Sequence, residues 1–286
     1  MRWTGCVLEI QMTVVSRWVQ ALGVASLAAV AFATPAAAGP GWITPAAGPT
    51  ATGDPEVVLT FDDGPNLQTT PRVLDTLAKH KVRAIFFLVG DRLTPDNKPA
   101  HDLVARMLRE GHIVANHTVS HIQMCAVKEE RAAVEIDAAA ATIASIAGMP
   151  TPWFRTPYGA YCKRLEAMLA EREITHFYWD IDSQEWKHNS AKRATAYITR
   201  ALGRLQGRAV VLMHDTKVAT VKALPKIFEW LEAENKKRAE STRRQIRIVD
   251  PATVARELVA PGLIEWLVQA GNAGLDQLTA AAACLP

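Results

Sequence analysis

An incomplete (β/α) barrel of seven strands is the fold class that the sequence predicts. Three observations lead to it. Short runs rich in β-branched and aromatic residues recur at 57–61, 84–89, 113–115, 153–154, 175–181, 209–213 and 246–249. Longer segments with helical spacing separate them, at 71–80, 100–110, 128–147, 163–172, 191–206 and 221–238. Several of the short runs are apolar throughout, as strands of a parallel sheet covered on both faces must be. An open doubly wound sheet fits the same pattern and stays as the alternative.

The 286 residues are ample for one large domain with a sizeable core. A hydrophobic share of 49% and a charged share of 21% describe an ordinary globular protein. The net charge of +3 is too small to argue for nucleic acid, so none is expected as a partner. One basic cluster, from Lys236-Lys237-Arg238 to Arg243-Arg244, reads as a solvated helix end, with contact to an anionic polymer or phospholipid as the alternative.

The first 38 residues read as a signal peptide. Arg17 precedes an apolar run from Trp18 to Phe32, and Ala36-Ala37-Ala38 supplies a cleavage site. Met12 gives the signal a more usual length, so residues 1–11 read as an upstream extension; an uncleaved anchor is the alternative. A Gly-, Pro- and Ala-rich linker follows at 39–54, then a folded domain at 55–260 and a helical tail at 261–286. With the signal removed, no membrane span is expected, and the protein is placed in the periplasm or outside a bacterial cell. A monomer is expected.

Five of the seven runs end in polar or ionisable residues. The first runs into Asp62-Asp63-Gly64-Pro65, and the third into Asn116-His117 and then His121. Arg155-Thr156-Pro157-Tyr158-Gly159 follows the fourth. Asp180, Asp182, Glu185 and Trp186 follow the fifth, and the sixth ends at His214-Asp215. In a barrel the carboxyl ends of the strands share one face, where sites are built.

Adjacent carboxylates at 62 and 63 repel unless a cation or proton lies between them. An Asx-type turn is the plain alternative for Asp62-Asp63-Gly64-Pro65. The spacing of His117 and His121 puts both imidazoles on one side of a helical turn, where they can share an ion. Asp63 supplies a third ligand. Two histidines and one carboxylate leave a position for water, as hydrolytic zinc sites do. Zn2+ is the default ion for that donor set, with Co2+, Ni2+ or Mn2+ as alternatives. Asp62 is then available as a base for the water, and His214 as an acid for the leaving group.

The segments TFDDGP, HTVSH, RTPYG, DSQEW and LMHD occur in the order and spacing of the NodB-like polysaccharide deacetylases, carbohydrate esterase family 4. The chain resembles that family over roughly residues 55–255. The resemblance implies a distorted (β/α)7 barrel and metal-dependent removal of acetyl groups from sugars. It implies Asp62 as general base, Asp63, His117 and His121 as metal ligands, and His214 as general acid. It also implies that Arg155 orients the base, that the Tyr158 N–H helps hold the oxyanion, and that Leu212 and Trp186 line the acetyl pocket and groove. One departure stands out. The family's D-x-x-D-W segment reads Asp182-Ser183-Gln184-Glu185-Trp186 here, so the acid that supports the catalytic histidine is one methylene longer.

Cys6 leaves with the signal, and three cysteines remain. Cys125 lies just past His121 and Cys162 just past Tyr158, in loops from neighbouring strands of one face. A disulfide between them is expected in an exported protein, with Cys284 left as a free thiol. The reading is an exported hydrolase acting on N-acetylated polysaccharide, such as peptidoglycan, a chitin-like polymer or an exopolysaccharide. An O-acetyl polysaccharide esterase is the near alternative, and a catalytically inactive glycan-binding protein the distant one.

Overall fold

The computed structural model describes residues 54–151 and 153–258. The expected signal peptide with Met12, the linker up to residue 53, Cys284 and the expected tail at 261–286 lie outside them. In chain order the elements are β1 (Glu56–Gly64), α1 (Thr70–Lys79), β2 (Ile85–Leu88), α2 (Lys98–Arg109), β3 (Ile113–Asn116), α3 (Glu129–Ala147), β4 (Trp153–Phe154), α4 (Lys163–Glu171), β5 (Thr175–His176), β6 (Ile181–Asp182), α5 (Glu185–His188), α6 (Ala191–Gly203), β7 (Arg208–His214), α7 (Val218–Glu240), β8 (Arg247–Ile248) and α8 (Pro251–Leu258).

All strand pairs are parallel, in the order β5-β4-β3-β2-β1-β7-β6. The sheet curls into a half-barrel with helices, a distorted (β/α)7 barrel. Side chains alternate across it, as the two-residue period of a strand requires. Val57, Leu59 and Phe61 of β1 and Phe86 and Leu88 of β2 join a core shared with α1, α2, α6 and α7. Val58, Ile85, Phe87, Ala115, Trp153, Phe177 and Val210 form a second cluster inside the curl, with Val249 and Val254.

Two features depart from the seven-strand expectation. The run at 175–181 is two strands, because its ends serve opposite edges of the sheet. Thr175 and His176 pair with β4, while Ile181 and Asp182 pair with β7. Residues 177–180 cross between those edges, held by Phe177 N–H to Phe154 O at 2.8 Å and Asp180 N–H to Val210 O at 2.9 Å. The last run, β8, stands off the main path. It pairs with Glu56 and Val57 at the start of β1, whereas β2 pairs with Thr60 to Gly64 at its end.

Candidate active site

Two adjacent residues of a strand point to opposite faces. Asp62 and Asp63 nevertheless share a site, because β1 bulges there. Asp62 is opposite Phe87 and Gly64 opposite Leu88, which leaves Asp63 as the extra residue, with φ 73°. Gly64 allows the next close approach, since a side chain there would collide with the buried carboxylate of Asp215.

Asp62 is buried, and its Oδ1 accepts from Arg155 Nη1 at 2.7 Å. Arg155 is wholly buried and fully engaged. It donates to Thr60 Oγ1 at 2.8 Å, to the Phe177 carbonyl at 2.7 Å and to the Tyr178 carbonyl at 3.2 Å. Its guanidinium lies 4.1 Å from the centre of the Phe87 ring. A buried charge is tolerable only with such pairing. The arrangement occupies one oxygen of Asp62 and leaves Oδ2 facing the site, 3.7 Å from His117 Nε2.

The two histidines do not lie on a helical turn. Residues 117–128 form an irregular loop, with Thr118 (φ 70°) and His121 (φ 55°) in the left-handed region. The polar side chains of this stretch bind its own backbone instead of leaving it free for a helix. Asn116 Oδ1 accepts the Thr118 N–H at 2.8 Å, and Thr118 Oγ1 accepts the His121 N–H at 3.0 Å. Glu135 of α3, itself buried, accepts the Ser120 N–H at 2.8 Å and the Ser120 hydroxyl at 2.6 Å.

His117 Nδ1 lies 2.7 Å from the Arg155 carbonyl and donates to it, which leaves Nε2 as a lone-pair donor toward Asp63. Asp63 Oδ1 is 3.5 Å from His117 Nε2 and 3.1 Å from His121 Nε2. It is a buried acceptor with no hydrogen bond of good geometry. One atom from each of the three residues lies within 4.8 Å of the others. Burial alone would raise the Asp63 carboxyl, but its contacts with both histidines and the charge of His214 outweigh burial and hold it far below the ordinary carboxylate range. An ionised carboxylate oxygen and two imidazole nitrogens, converging on a gap that no proton donor fills, fit a divalent cation.

Across the site, His214 ends β7. Glu185 Oε1 accepts from its Nδ1 at 3.0 Å and from its N–H at 2.6 Å. Thr220 Oγ1 donates to the same oxygen at 3.1 Å, and Ser183 Oγ to Oε2. Burial pushes the His214 imidazole down, but the Glu185 hydrogen bond and the charges of Glu185, Asp62 and Asp63 prevail and raise it to about 9.

Asp62, Asp63, His117, His121, Tyr158, Trp186, Leu212 and His214 line one pocket of about 440 Å³. Arg155 and Glu185 support it from behind. Tyr158 is left-handed (φ 60°) and projects outward, and Trp186 is half exposed. Cys125 and Cys162 are disulfide-bonded, with Cα atoms 6.0 Å apart. Asp180 does not join the site; its carboxylate accepts the Val210 N–H at 2.8 Å. Thr156 and Asp182, from the strand-end motifs, also line the pocket, as do Trp179 and Lys217, which the motifs do not include. Asp215, noted only as a strand end, is a buried acid pushed up to about 7 by desolvation and by Asp63, against the hydrogen bond from Thr70.

A family model for polysaccharide deacetylases matches residues 50–177. A peptidoglycan-N-acetylglucosamine deacetylase of Bacillus cereus is 33% identical over 183 residues, which cover 63% of this chain and 64% of that protein. A chitooligosaccharide deacetylase of Bradyrhizobium is 35% identical over 164 residues, 57% of this chain and 72% of that protein. The solved structure of peptidoglycan deacetylase PdaC from Bacillus subtilis superposes with a TM-score of 0.58 at 27% identity, covering 71% of this chain and 93% of that one. Fold and sequence likeness agree, and the chain belongs to the polysaccharide deacetylase family of hydrolases.

Proposed function

We propose that the protein is a metal-dependent hydrolase that removes acetyl groups from the nitrogen of a polysaccharide of peptidoglycan or chitin type. One observation carries the reading: three residues able to hold a cation, a carboxylate with a free oxygen and a histidine bonded to Glu185 line the same pocket. The relatives' names, for peptidoglycan and chitooligosaccharide deacetylases, supply the substrate class.

Asp63, His117 and His121 would hold the ion, with zinc as the default. A cation there supplies Lewis acidity and a more acidic water at neutral pH. Asp62 Oδ2 takes a proton from the attacking water as the new C–O bond forms at the acetyl carbon. Arg155 keeps that carboxylate oriented through its other oxygen. The Tyr158 N–H, from a residue of left-handed backbone on the pocket wall, is assigned to the developing oxyanion. His214, kept protonated by Glu185, gives its proton to the nitrogen as the C–N bond breaks. Acetate and a free amine leave. Leu212 and Trp186 line the acetyl pocket and the groove.

Export agrees with the Cys125–Cys162 bond, which persists in an oxidising compartment. Among the described residues, no helix is long and apolar enough to cross a membrane. The test is product analysis: chain lacking residues 1–38 is incubated with defined N-acetylated and O-acetylated oligosaccharides. Acetate and glucosamine termini from the N-acetylated set are expected. Release from the O-acetylated set alone would move the assignment to an esterase, and release from neither would overturn it.

A further inference from the structure

We propose that Lys217 selects glycans bearing a carboxylate on the sugar beside the one that loses its acetyl group. The inference rests on the deacetylase reading above and narrows its substrate. Lys217 lines the catalytic pocket together with Trp186, Leu212 and His214.

Its place is fixed by the backbone. The Lys217 N–H donates to the His214 carbonyl at 3.1 Å, and the Lys217 carbonyl accepts from Thr220 and Val221 at the start of α7. The backbone from which the ammonium extends is therefore held one turn from His214, the residue that protonates the leaving group. The other charges of the pocket are already engaged. Asp62 is paired with Arg155, and Asp63 faces the two histidines. His214 is paired with Glu185. Asp182 Oδ1 accepts the Gln184 N–H at 2.8 Å, and both its oxygens lie 3.2 Å from Trp186 Nε1.

Lys217 is the exception. Among the described residues, no carboxylate comes within 4.0 Å of its ammonium. The first turn of α7 adds no acidic residue to neutralise it. The side chain is half-buried, so part of its hydration is already gone. A cation in that state gains from an anion brought by the substrate, and a neutral sugar offers it no such partner. A lactyl ether on the neighbouring sugar, or a uronic acid in that position, supplies the carboxylate.

The test compares matched substrates on the same enzyme preparation. The first pair is a tetrasaccharide alternating N-acetylglucosamine and N-acetylmuramic acid, with free lactyl carboxylates or with the carboxamides. The second pair alternates N-acetylglucosamine with glucuronic acid or its amide. The quantity read is the ratio of kcat/KM for acid over amide. In the unaltered enzyme that ratio exceeds one for at least one pair. In Lys217→Met it falls about fivefold, the worth of one partly exposed ion pair, and mainly through KM. Lys217→Arg retains it. The pair whose ratio falls identifies the source of the carboxylate. Because each ratio is internal to one preparation, a poorly folded variant does not mimic the result. Ratios unmoved by Lys217→Met in both pairs, with acetate still released, overturn the inference and leave the deacetylase reading intact. No acetate from any of the four substrates overturns both.

Discussion

Glu185 receives two hydrogen bonds from His214, one from the backbone N–H at 2.6 Å and one from Nδ1 at 3.0 Å. Glu185 opens the short helix at Glu185–His188, and one of its oxygens serves both groups. Ser183 and Thr220 complete its shell.

The pH profile follows from this pair. His214 is raised to about 9, so its protonated form dominates at neutral pH and the alkaline limb of kcat/KM reports its loss. Removing the negative charge removes the main upward influence. Glu185→Gln moves the alkaline limb to lower pH, by roughly one to two units, and lowers kcat at neutral pH. Glu185→Asp keeps the limb closer to its original place. A limb that does not move in Glu185→Gln assigns it to another group.

The cation site predicts a loss of binding. His117→Ala removes one of three ligands and also the imidazole that Arg155's carbonyl orients. Stoichiometric zinc, measured by elemental analysis after gel filtration, falls to near background, and acetate release falls with it. Full occupancy in that variant removes His117 from the ligand set.

Asp62 has a separable role. Asp62→Asn keeps the Arg155 neighbour and the three ligands, so metal content stays stoichiometric. Turnover falls about 10²- to 10⁴-fold, the usual contribution of a positioned base. Loss of metal together with activity argues instead that Asp62 belongs to the ligands.

The Cys125–Cys162 bond closes a loop across a sequence separation of 37. In the chain-entropy model its removal in Cys125→Ser/Cys162→Ser costs about 3–4 kcal/mol. Denaturant unfolding of the double variant, compared at equal slope, reads this directly. An unchanged midpoint shows that the bond adds no net stability.

Much of this was legible in the sequence, for identifiable reasons. The strands announce themselves because their apolar runs are buried on both faces, and the chemistry announces itself because it sits where each run ends. The geometry of the histidine pair was not legible. His-x-x-x-His reads as a helical turn, and only the bonds from Asn116 and Thr118 reveal a loop. No motif in the sequence singles out Glu135 of α3, which pairs with Arg131 at 2.5 Å. Its other task, holding Ser120 of the metal loop, depends on how α3 docks on β3. Trp179 and Lys217 reach the pocket through tertiary placement alone.

The crossing at residues 177–180 has a consequence for tolerance to length changes. His176 is fixed against β4 and Ile181 against β7, so five peptide steps, at most about 18 Å, connect opposite rims of the curl. The same stretch presents the Phe177 and Tyr178 carbonyls to Arg155 and leads into Asp182 and Glu185. Deleting one residue would pull β6 out of step with β7 and swing its side chains to the other face. An insertion would let the Arg155 carbonyls and the Glu185 support drift apart. Substitutions can accumulate along this segment, but its residue count is a fixed dimension that links Arg155, which holds Asp62, to Glu185, which holds His214.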